Sequence, residues 1–260
     1  MPPGKAASLL AVSCIALGVA ATASARPQAA ALDRALRAAG FYAGPDRDRD
    51  AAAAAPGRRL LGSRTLGRGE TGRDVAELQL ALAWQGFPSG AIDGRFGRRL
   101  AWALTRFQRK AGLPMDVVAG AATIAALRRE PADAPIPLAW PLRAAVGDGF
   151  GPRGNRFHAG VDLPAAEGTD VIAAAPGRVA WAGPRAGGWG KLVTLANGRG
   201  VRTMYAHLSK VEVKVGEWVA GGTVLGRVGA TGDATGPHLH FEVRVRGGAI
   251  DPLRALVPLY

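Results

Sequence analysis

The chain has 260 residues, and 33 Lys and Arg against 20 Asp and Glu give it a formal net charge of +13. Because 48% of the residues are apolar, the composition excludes an intrinsically disordered protein, and the length suffices for one or two domains with buried cores. The single cysteine excludes an internal disulfide framework and a cysteine-based structural zinc site. The 37 glycines and 18 prolines favour many turns and short strands over a helical bundle.

The N-terminal segment has the features of an export signal. Lys5 is the only charged residue before position 26, and the mostly apolar run that follows ends in Ala23-Ser24-Ala25. This pattern predicts a signal peptide that is cleaved after Ala25, with no stable membrane insertion of the mature chain. An uncleaved anchor is the alternative, because about 20 apolar residues can span a bilayer. Cleavage predicts an exported protein that is periplasmic, cell-wall associated or secreted.

The positive charge is spread along the whole mature chain. A nucleic-acid-binding module usually concentrates its charge on one element and carries a recognisable motif, so we expect no nucleic-acid partner. A diffuse positive field favours weak, salt-sensitive attraction to an anionic polymer of the cell envelope. Charge alone does not separate this interpretation from simple solubility.

Two segments interrupt the periodic parts of the chain. Residues 45–59 combine alternating charges with an alanine run, and residues 130–137 contain three prolines, so both are interpreted as linkers. A constant offset of 46 residues relates the segments 32–44 and 78–90, which indicates a truncated repeat or a chance similarity. The predicted division is a signal peptide at 1–25, a linker with the repeat remnant at 26–64, a helical domain at 65–128, a Pro-rich linker at 129–138 and a β domain at 139–260.

The segment 65–128 has the periodicity of three short helices. Thr71 begins a possible capping box, and apolar residues then recur at helical spacing up to Gly86. A second stripe ends at Gly112, and a third helix is predicted over 121–127. This segment resembles the peptidoglycan-binding domain family, on Gly69-x-x-Gly72-x-x-Val75-x-x-Leu78-Gln79, Gly86-Phe87, Ile92-Asp93-Gly94-x-Phe96-Gly97, Phe107-Gln108 and Gly112-Leu113-Pro114. The resemblance implies peptidoglycan as the partner.

The C-terminal segment reads as a mainly antiparallel β domain. Short β-branched runs alternate with glycine and proline, and the predicted strands include 178–181, 192–195, 211–215 and 241–245. The predicted fold class is therefore multidomain, with a small all-α three-helix module followed by a mainly antiparallel β domain.

All four histidines of the chain fall in the β segment. In a strand, alternation places His238 and His240 on one face, and His158 and Asp162 share a face of an extended segment in which Gly160 allows close backbone approach. The run 203–207 alternates in the same way, which predicts that Thr203, Tyr205 and His207 lie together.

This set of side chains suits metal-dependent hydrolysis. Two imidazoles and one carboxylate form an ordinary catalytic zinc set with an open position for water, and two further imidazoles could transfer protons near neutral pH. The alternative is that the histidines are structural or lie on the surface, because an isolated H-x-H or H-x-x-x-D pattern is weak evidence.

The β segment also resembles the lysostaphin-like zinc endopeptidase family, which hydrolyses peptide bonds of peptidoglycan. The matching stretches are Phe150-Gly151-x-Arg153, His158-x-Gly160-x-Asp162, Gly168-Thr169-x-Val171-x-Ala173, Tyr205-Ala206-His207-Leu208 and Thr231-Gly232-x-x-Thr235-Gly236-Pro237-His238-Leu239-His240-Phe241-Glu242. The resemblance implies Zn²⁺ as the cofactor, with His158, Asp162 and His240 as its ligands, and His207 and His238 as the catalytic pair. A non-catalytic wall-binding regulator of another hydrolase is the alternative function.

Overall fold

The computed structural model describes residues 60–129, 131 and 133–257. The predicted signal peptide, the repeat remnant and the linker at 45–59 lie outside these residues. Within the described part, no helix combines the length and the apolar character needed to cross a membrane.

The first described module consists of three helices: α1 (Arg73–Trp84), α2 (Arg98–Ala111) and α3 (Ala121–Leu127). One apolar core holds them together, because each helix turns its periodic apolar face inward. Its buried side chains include Val75, Leu78, Leu82, Leu100, Leu104, Phe107 and Leu127. The three predicted helices are confirmed.

The predicted capping box at Thr71 is wrong. Helix α1 begins after Gly72, and no side chain caps its N-terminus. Thr71 instead forms an isolated antiparallel bridge with Arg95, and the buried Asp74 of the first turn pairs with Arg64 at 2.7 Å. A capping box needs the Asp74 carboxylate to bond back to the start of the helix. The ion pair with Arg64 holds this carboxylate in another position.

The second module contains twelve strands within its described residues. They are β1 (Gly151–Arg153), β2 (Arg156–His158), β3 (Val161–Pro164), β4 (Asp170–Ile172), β5 (Gly177–Arg185), β6 (Gly190–Gly198), β7 (Val201–Leu208), β8 (Lys210–Val211), β9 (Trp218–Val219), β10 (Val224–Arg227), β11 (His238–Val245) and β12 (Gly248–Ile250). A 3₁₀ turn, Pro252–Arg254, follows the last strand. The predicted run at 211–215 is shorter than expected, because the strand ends at Val211.

All strand pairs in this module are antiparallel, which confirms the predicted fold class. The large sheet has the order β12-β11-β7-β6-β5-β9, and β3 also pairs with β11. A smaller sheet, β4-β10-β8, contributes Val171 and Leu225 to the same apolar core as Tyr205 and Phe241 of the large sheet. The two sheets therefore share one apolar core, and the strands β3, β7 and β11, which carry most of the candidate site, contribute residues to it.

The segment before the β module is not a free spacer in its described part. Leu138 donates its backbone N–H to Ala255 O at 3.1 Å, and Ile136 packs against the apolar core of the β module. Asp133 forms an ion pair with Arg254 at 2.7 Å. The predicted Pro-rich linker thus lies along the surface of the second module.

Candidate metal centre

Strands β3 and β11 bring two of the predicted site residues face to face. In their antiparallel register, Asp162 lies opposite His240. Leu239 and Phe241, which alternate with the histidines of β11, are fully buried in the core. The apolar residues thus fix which face of the strand enters the core, and His238 and His240 must occupy the other face.

His158 and His207 reach the same place from the ends of two other strands. His158 closes β2, and His207 lies near the end of β7 with a φ of 61°. This left-handed backbone interrupts the alternation of β7. Tyr205 and Thr203 remain in the buried interior, where Tyr205 donates its hydroxyl to Thr203 Oγ1 at 3.0 Å.

The prediction that Thr203, Tyr205 and His207 lie together is therefore wrong. His240 faces Ala206 of β7 across the sheet, on the side opposite Tyr205, and His207 lines the same cavity as His240. The irregular φ of His207 turns the imidazole to that side.

Three donor atoms converge at the centre of the site. His158 Nε2 lies 3.1 Å from Asp162 Oδ1 and 2.9 Å from His240 Nδ1, and His240 Nδ1 lies 2.8 Å from Asp162 Oδ1. A zinc ion with bonds of about 2.0–2.1 Å needs tetrahedral ligand atoms roughly 3.3 Å apart, so the three atoms require little movement to share one ion. The donor set fits Zn²⁺ in number, chemistry and spacing.

The second nitrogen of each of these two imidazoles is already engaged. His158 Nδ1–H donates to Gly149 O at 2.8 Å, and His240 Nε2–H donates to Glu242 Oε1 at 3.3 Å. A carbonyl or carboxylate oxygen only accepts, so these bonds place the proton on the outer nitrogen. In the neutral form of each ring the inner nitrogen therefore presents a lone pair to the centre, which is the tautomer that metal binding requires.

His207 and His238 are oriented by the same means. Their Nδ1–H groups donate to Thr231 O and Gly236 O, each at 2.8 Å. Their ring centroids lie 4.8 Å apart, and His238 Nε2 lies 3.7 Å from Asp162 Oδ1. Both Nε2 atoms are thus left for the cavity, close to the metal-competent cluster but outside it.

Glu242 completes the site, although the sequence interpretation assigned it no role. Its side chain is almost completely buried, and Arg244 donates to its Oε2 at 2.7 Å. Burial alone would raise the pKa of Glu242, but Arg244 and His240 outweigh burial and hold the pKa below its usual value. The sequence did contain a signal for this role. His238, His240 and Glu242 are each two residues apart in β11, so alternation places Glu242 on the same face as the two histidines.

Arg153 is the second residue whose role was missed. Its guanidinium bridges Asp162 Oδ2 and Asp148 Oδ2, each at 2.8 Å. Burial would raise the pKa of Asp162, but hydrogen bonds from two imidazoles and from Arg153 outweigh it and keep this carboxylate ionised. The two oxygens of Asp162 therefore have different partners. Oδ1 contacts His158 and His240, and Oδ2 accepts a hydrogen bond from Arg153.

The electrostatics of the centre favour a cation. Burial lowers the pKa of His240, but hydrogen bonds to Asp162 and Glu242 outweigh it and raise the pKa to about 9. Two carboxylates thus favour positive charge at this position. The cluster opens into a cavity of about 550 Å³ whose rim includes Trp189 and Asp233.

Comparison with known proteins identifies both modules. Residues 156–252 match the family "Peptidase family M23", and residues 71–127 match "Putative peptidoglycan binding domain". The chain is 45% identical over 103 residues to the DD-carboxypeptidase/endopeptidase Mpg of Neisseria meningitidis serogroup B (strain ATCC 13091 / M2091), which covers 40% of this chain and 24% of Mpg. It is 34% identical over 119 residues to the murein hydrolase activator NlpD of Escherichia coli K12, covering 45% of this chain and 30% of NlpD.

A solved structure gives a match of the β module. The catalytic domain of the antimicrobial peptidase lysostaphin from Staphylococcus simulans is 38% identical, with 42% of this chain and 90% of that domain covered and a TM-score of 0.40. The chain matches about a quarter to a third of the length of Mpg and NlpD, so these similarities concern the domains. With the His–Asp–His cluster lying inside the matched segment, the predicted resemblance is confirmed: the chain carries a peptidase family M23 domain over residues 156–252 and, ahead of it, a peptidoglycan-binding domain over residues 71–127.

Proposed function

We propose that the protein is an exported zinc metalloendopeptidase that hydrolyses peptide bonds of bacterial peptidoglycan, in the stem peptide or the cross-bridge. The observation that carries the proposal is the convergence of three lone-pair atoms from His158, Asp162 and His240, with the outer nitrogens of both imidazoles bonded to acceptors. At separations of 2.8–3.1 Å these atoms need positive charge between them, which protons supply in the metal-free protein and which a bound metal ion would replace. The match to an M23 peptidase domain supports the same assignment.

In this proposal His158, Asp162 and His240 hold Zn²⁺. When bound, Zn²⁺ lowers the pKa of water towards about 7 and polarises a carbonyl group. Glu242 fixes the ring of His240 and increases its basicity as a ligand, and Arg153 holds the second oxygen of Asp162.

His207 and His238 supply the proton-transfer and orienting groups. Burial, reinforced by the neighbouring imidazoles, lowers the pKa of His207, so its Nε2 is unprotonated near neutral pH and accepts a proton from water. His238 Nε2 orients the attacking water by accepting a hydrogen bond from it, or, in the imidazolium form, donates a hydrogen bond to the charge that develops on the carbonyl oxygen. The backbone carbonyls of Thr231 and Gly236 hold both rings, so neither ring needs to reorganise during turnover.

The helical module holds the enzyme at its substrate. Attachment to peptidoglycan raises the local concentration of cleavable bonds, so that a weak affinity of this module is sufficient. We further propose that residues 1–25 direct export and are removed, that 26–64 and 129–138 connect the modules at 65–128 and 139–260, and that the mature protein acts in the periplasm or at the cell wall.

A second function competes with this one: a non-catalytic, wall-binding regulator of another peptidoglycan hydrolase. The 34% identity to the murein hydrolase activator NlpD favours it. The retention of both the metal-competent cluster and the two additional histidines supports the peptidase instead.

Digestion of purified peptidoglycan distinguishes the two functions. The zinc content of the pure protein is measured first by elemental analysis, with His240→Ala as the metal-free control. A peptidase releases new free amines from the polymer, and mass spectrometry of the released muropeptides identifies the bond that is cut. Zinc-loaded protein that releases no amine contradicts the peptidase and supports the regulator.

A further inference from the structure

The helical module and the β module are joined by backbone contacts. Ala249 of strand β12 donates its N–H to Gly86 O at 3.1 Å, and the Arg106 guanidinium donates to Gly247 O at 2.7 Å. A Cβ on Gly86 would lie only 2.2 Å from the Ala249 backbone, so this contact depends on a glycine. The two modules are therefore docked on each other in a defined orientation.

A cluster of three aromatic rings extends this interface towards the site. Trp84, the last residue of α1, lies with its ring centroid 5.2 Å from Phe157 at 81° and 6.0 Å from Phe150 at 60°. Phe150 and Phe157 contact each other edge to face at 5.0 Å. Among the described residues, the buried Trp84 Nε1 has no hydrogen-bond partner, so the contact depends on the ring and not on the N–H group.

Phe157 belongs to a β-hairpin that forms a small sheet of its own, and Phe150 directly precedes the first strand of that hairpin. Strands β1 and β2 pair only with each other in the described part of the chain, outside both larger sheets. An isolated two-stranded hairpin is marginally stable in water. At its turn, Asn155 O accepts the N–H of Ile92 from the helical module at 2.7 Å. The helical module therefore contacts this hairpin at its turn and on its aromatic face.

The same hairpin carries two residues of the candidate metal centre. His158 follows Phe157 directly in β2, and Arg153 ends β1. Both side chains reach Asp162, at 3.1 and 2.8 Å. Asp162 and His240 lie on strands of the large sheet, so a shift of the hairpin moves one candidate ligand relative to the other two.

We propose that the helical module has a second role besides attachment to the wall: through Trp84 it docks the β1–β2 hairpin and so positions His158 in the metal centre. The inference rests on the proposed function, since it takes that centre as the place of catalysis. Trp84 is thus a positioning residue. Metal affinity and turnover depend on it even with a soluble peptide substrate, for which attachment to the wall is irrelevant.

The test compares substitutions of Trp84 in the full chain. We expect Trp84→Ala to weaken zinc binding roughly 10-fold or more, as loss of a group that orients a ligand does, and to lower kcat on a soluble peptidoglycan-derived peptide. Trp84→Phe keeps a smaller aromatic ring and lacks the unpartnered N–H, so it should retain most of the zinc affinity and of the turnover. Trp218→Ala removes a tryptophan whose side chain is 66% exposed on β9 and should leave both unchanged.

A second variant covers the case in which Trp84→Ala unfolds the helical module. Phe150→Ala alters the same contact from the β module and should weaken zinc binding as well. Because the two rings act through one contact, the double variant should lose much less than the product of the two single effects. Zinc affinity is measured by competition with a chromophoric chelator, and circular dichroism reports the fold.

The outcomes separate this inference from the proposed function. A folded Trp84→Ala variant with wild-type zinc affinity and turnover overturns the inference, and so do fully independent effects of Trp84→Ala and Phe150→Ala. A wild-type chain that binds no zinc, or cleaves nothing when loaded, overturns the proposed function and this inference with it.

Discussion

The candidate site is made from side chains whose roles differ although their types are the same. Strand alternation predicted that His238 and His240 share a face, and the structure has them there. Alternation could not separate their roles, because the difference depends on which ring nitrogen carries the N–H group that donates to a neighbour. His207 was predicted on the wrong face of its strand, since no pattern in the sequence signals a non-glycine residue at φ 61°.

Three of the four histidines give a matched set of alanine variants. We expect His240→Ala to abolish both zinc binding and activity, because it removes one of the three converging ligand atoms. His238→Ala and His207→Ala should keep the metal, because their rings lie outside the cluster, and lose turnover by at least about 100-fold. Zinc content and peptide hydrolysis are measured on each protein. Loss of metal from His207→Ala would contradict the division of roles.

A conservative substitution of Glu242 tests whether zinc binding depends on the carboxylate that bonds to His240. In Glu242→Gln, an amide oxygen can still accept from His240 Nε2, but the negative charge is gone and Arg244 loses its ion pair. We expect zinc affinity to fall by about 10-fold while the fold is retained. Arg202→Gln, on the exposed side of β7, is the control for a charge change in the sheet. Unchanged zinc affinity in Glu242→Gln would mean that the carboxylate serves stability alone.

Among the elements, the strands of the large sheet were the easiest to predict and the short connections the hardest. The runs at 192–195 and 241–245 contain β-branched residues, and both lie in observed strands. The pattern at Thr71 resembles a cap, but the tertiary ion pair between Arg64 and Asp74 decides the local structure there. A sequence pattern shows local preference and contains no information on a partner ten residues away.

Gly160 tests how closely β3 must approach β11. A Cβ at this position would lie 2.4 Å from Phe241 O and 3.0 Å from His240 Cε1, so the close approach predicted for Gly160 is confirmed. We expect Gly160→Ala to destabilise the fold by roughly 1–3 kcal/mol through overpacking, and to weaken zinc binding because β3 carries Asp162. Thermal unfolding and zinc competition measure the two effects.

Gly67→Ala is the matched control, because no atom lies within 4 Å of its added Cβ. The control should stay close to the wild type in both measurements. A Gly160→Ala variant as stable as the control would refute the requirement for close approach.

For the whole molecule, composition and motifs predicted two modules, and the structure adds how they are joined. The interface depends on backbone groups of Gly86 and Ala249 and on an aromatic contact from Trp84, all of which are distant in the sequence. No periodicity relates such positions, so the docking of the modules could not be predicted. The same holds for the 129–138 segment, which composition alone indicates to be a spacer.

The net charge of +13 gives a prediction at this scale. Attraction between a positive protein and an anionic polymer is screened within about 8–10 Å at physiological ionic strength. We therefore expect retention on purified cell walls to fall severalfold between ~50 and ~500 mM salt, while turnover on a short uncharged peptide changes little. Sedimentation with walls and a peptide assay across the same salt series measure both. Retention that is independent of salt would contradict an electrostatic contribution.

The rings of His158, His207 and His238 are each held by a main-chain oxygen, at Gly149, Thr231 and Gly236. Mutation replaces side chains but leaves every peptide carbonyl in place. The orientation of these rings therefore does not depend on which residue type occupies the three anchoring positions, provided that the backbone conformation is kept. Insertions or deletions in the adjoining loops, rather than point changes at the anchors, are therefore the alterations that would misdirect the imidazoles.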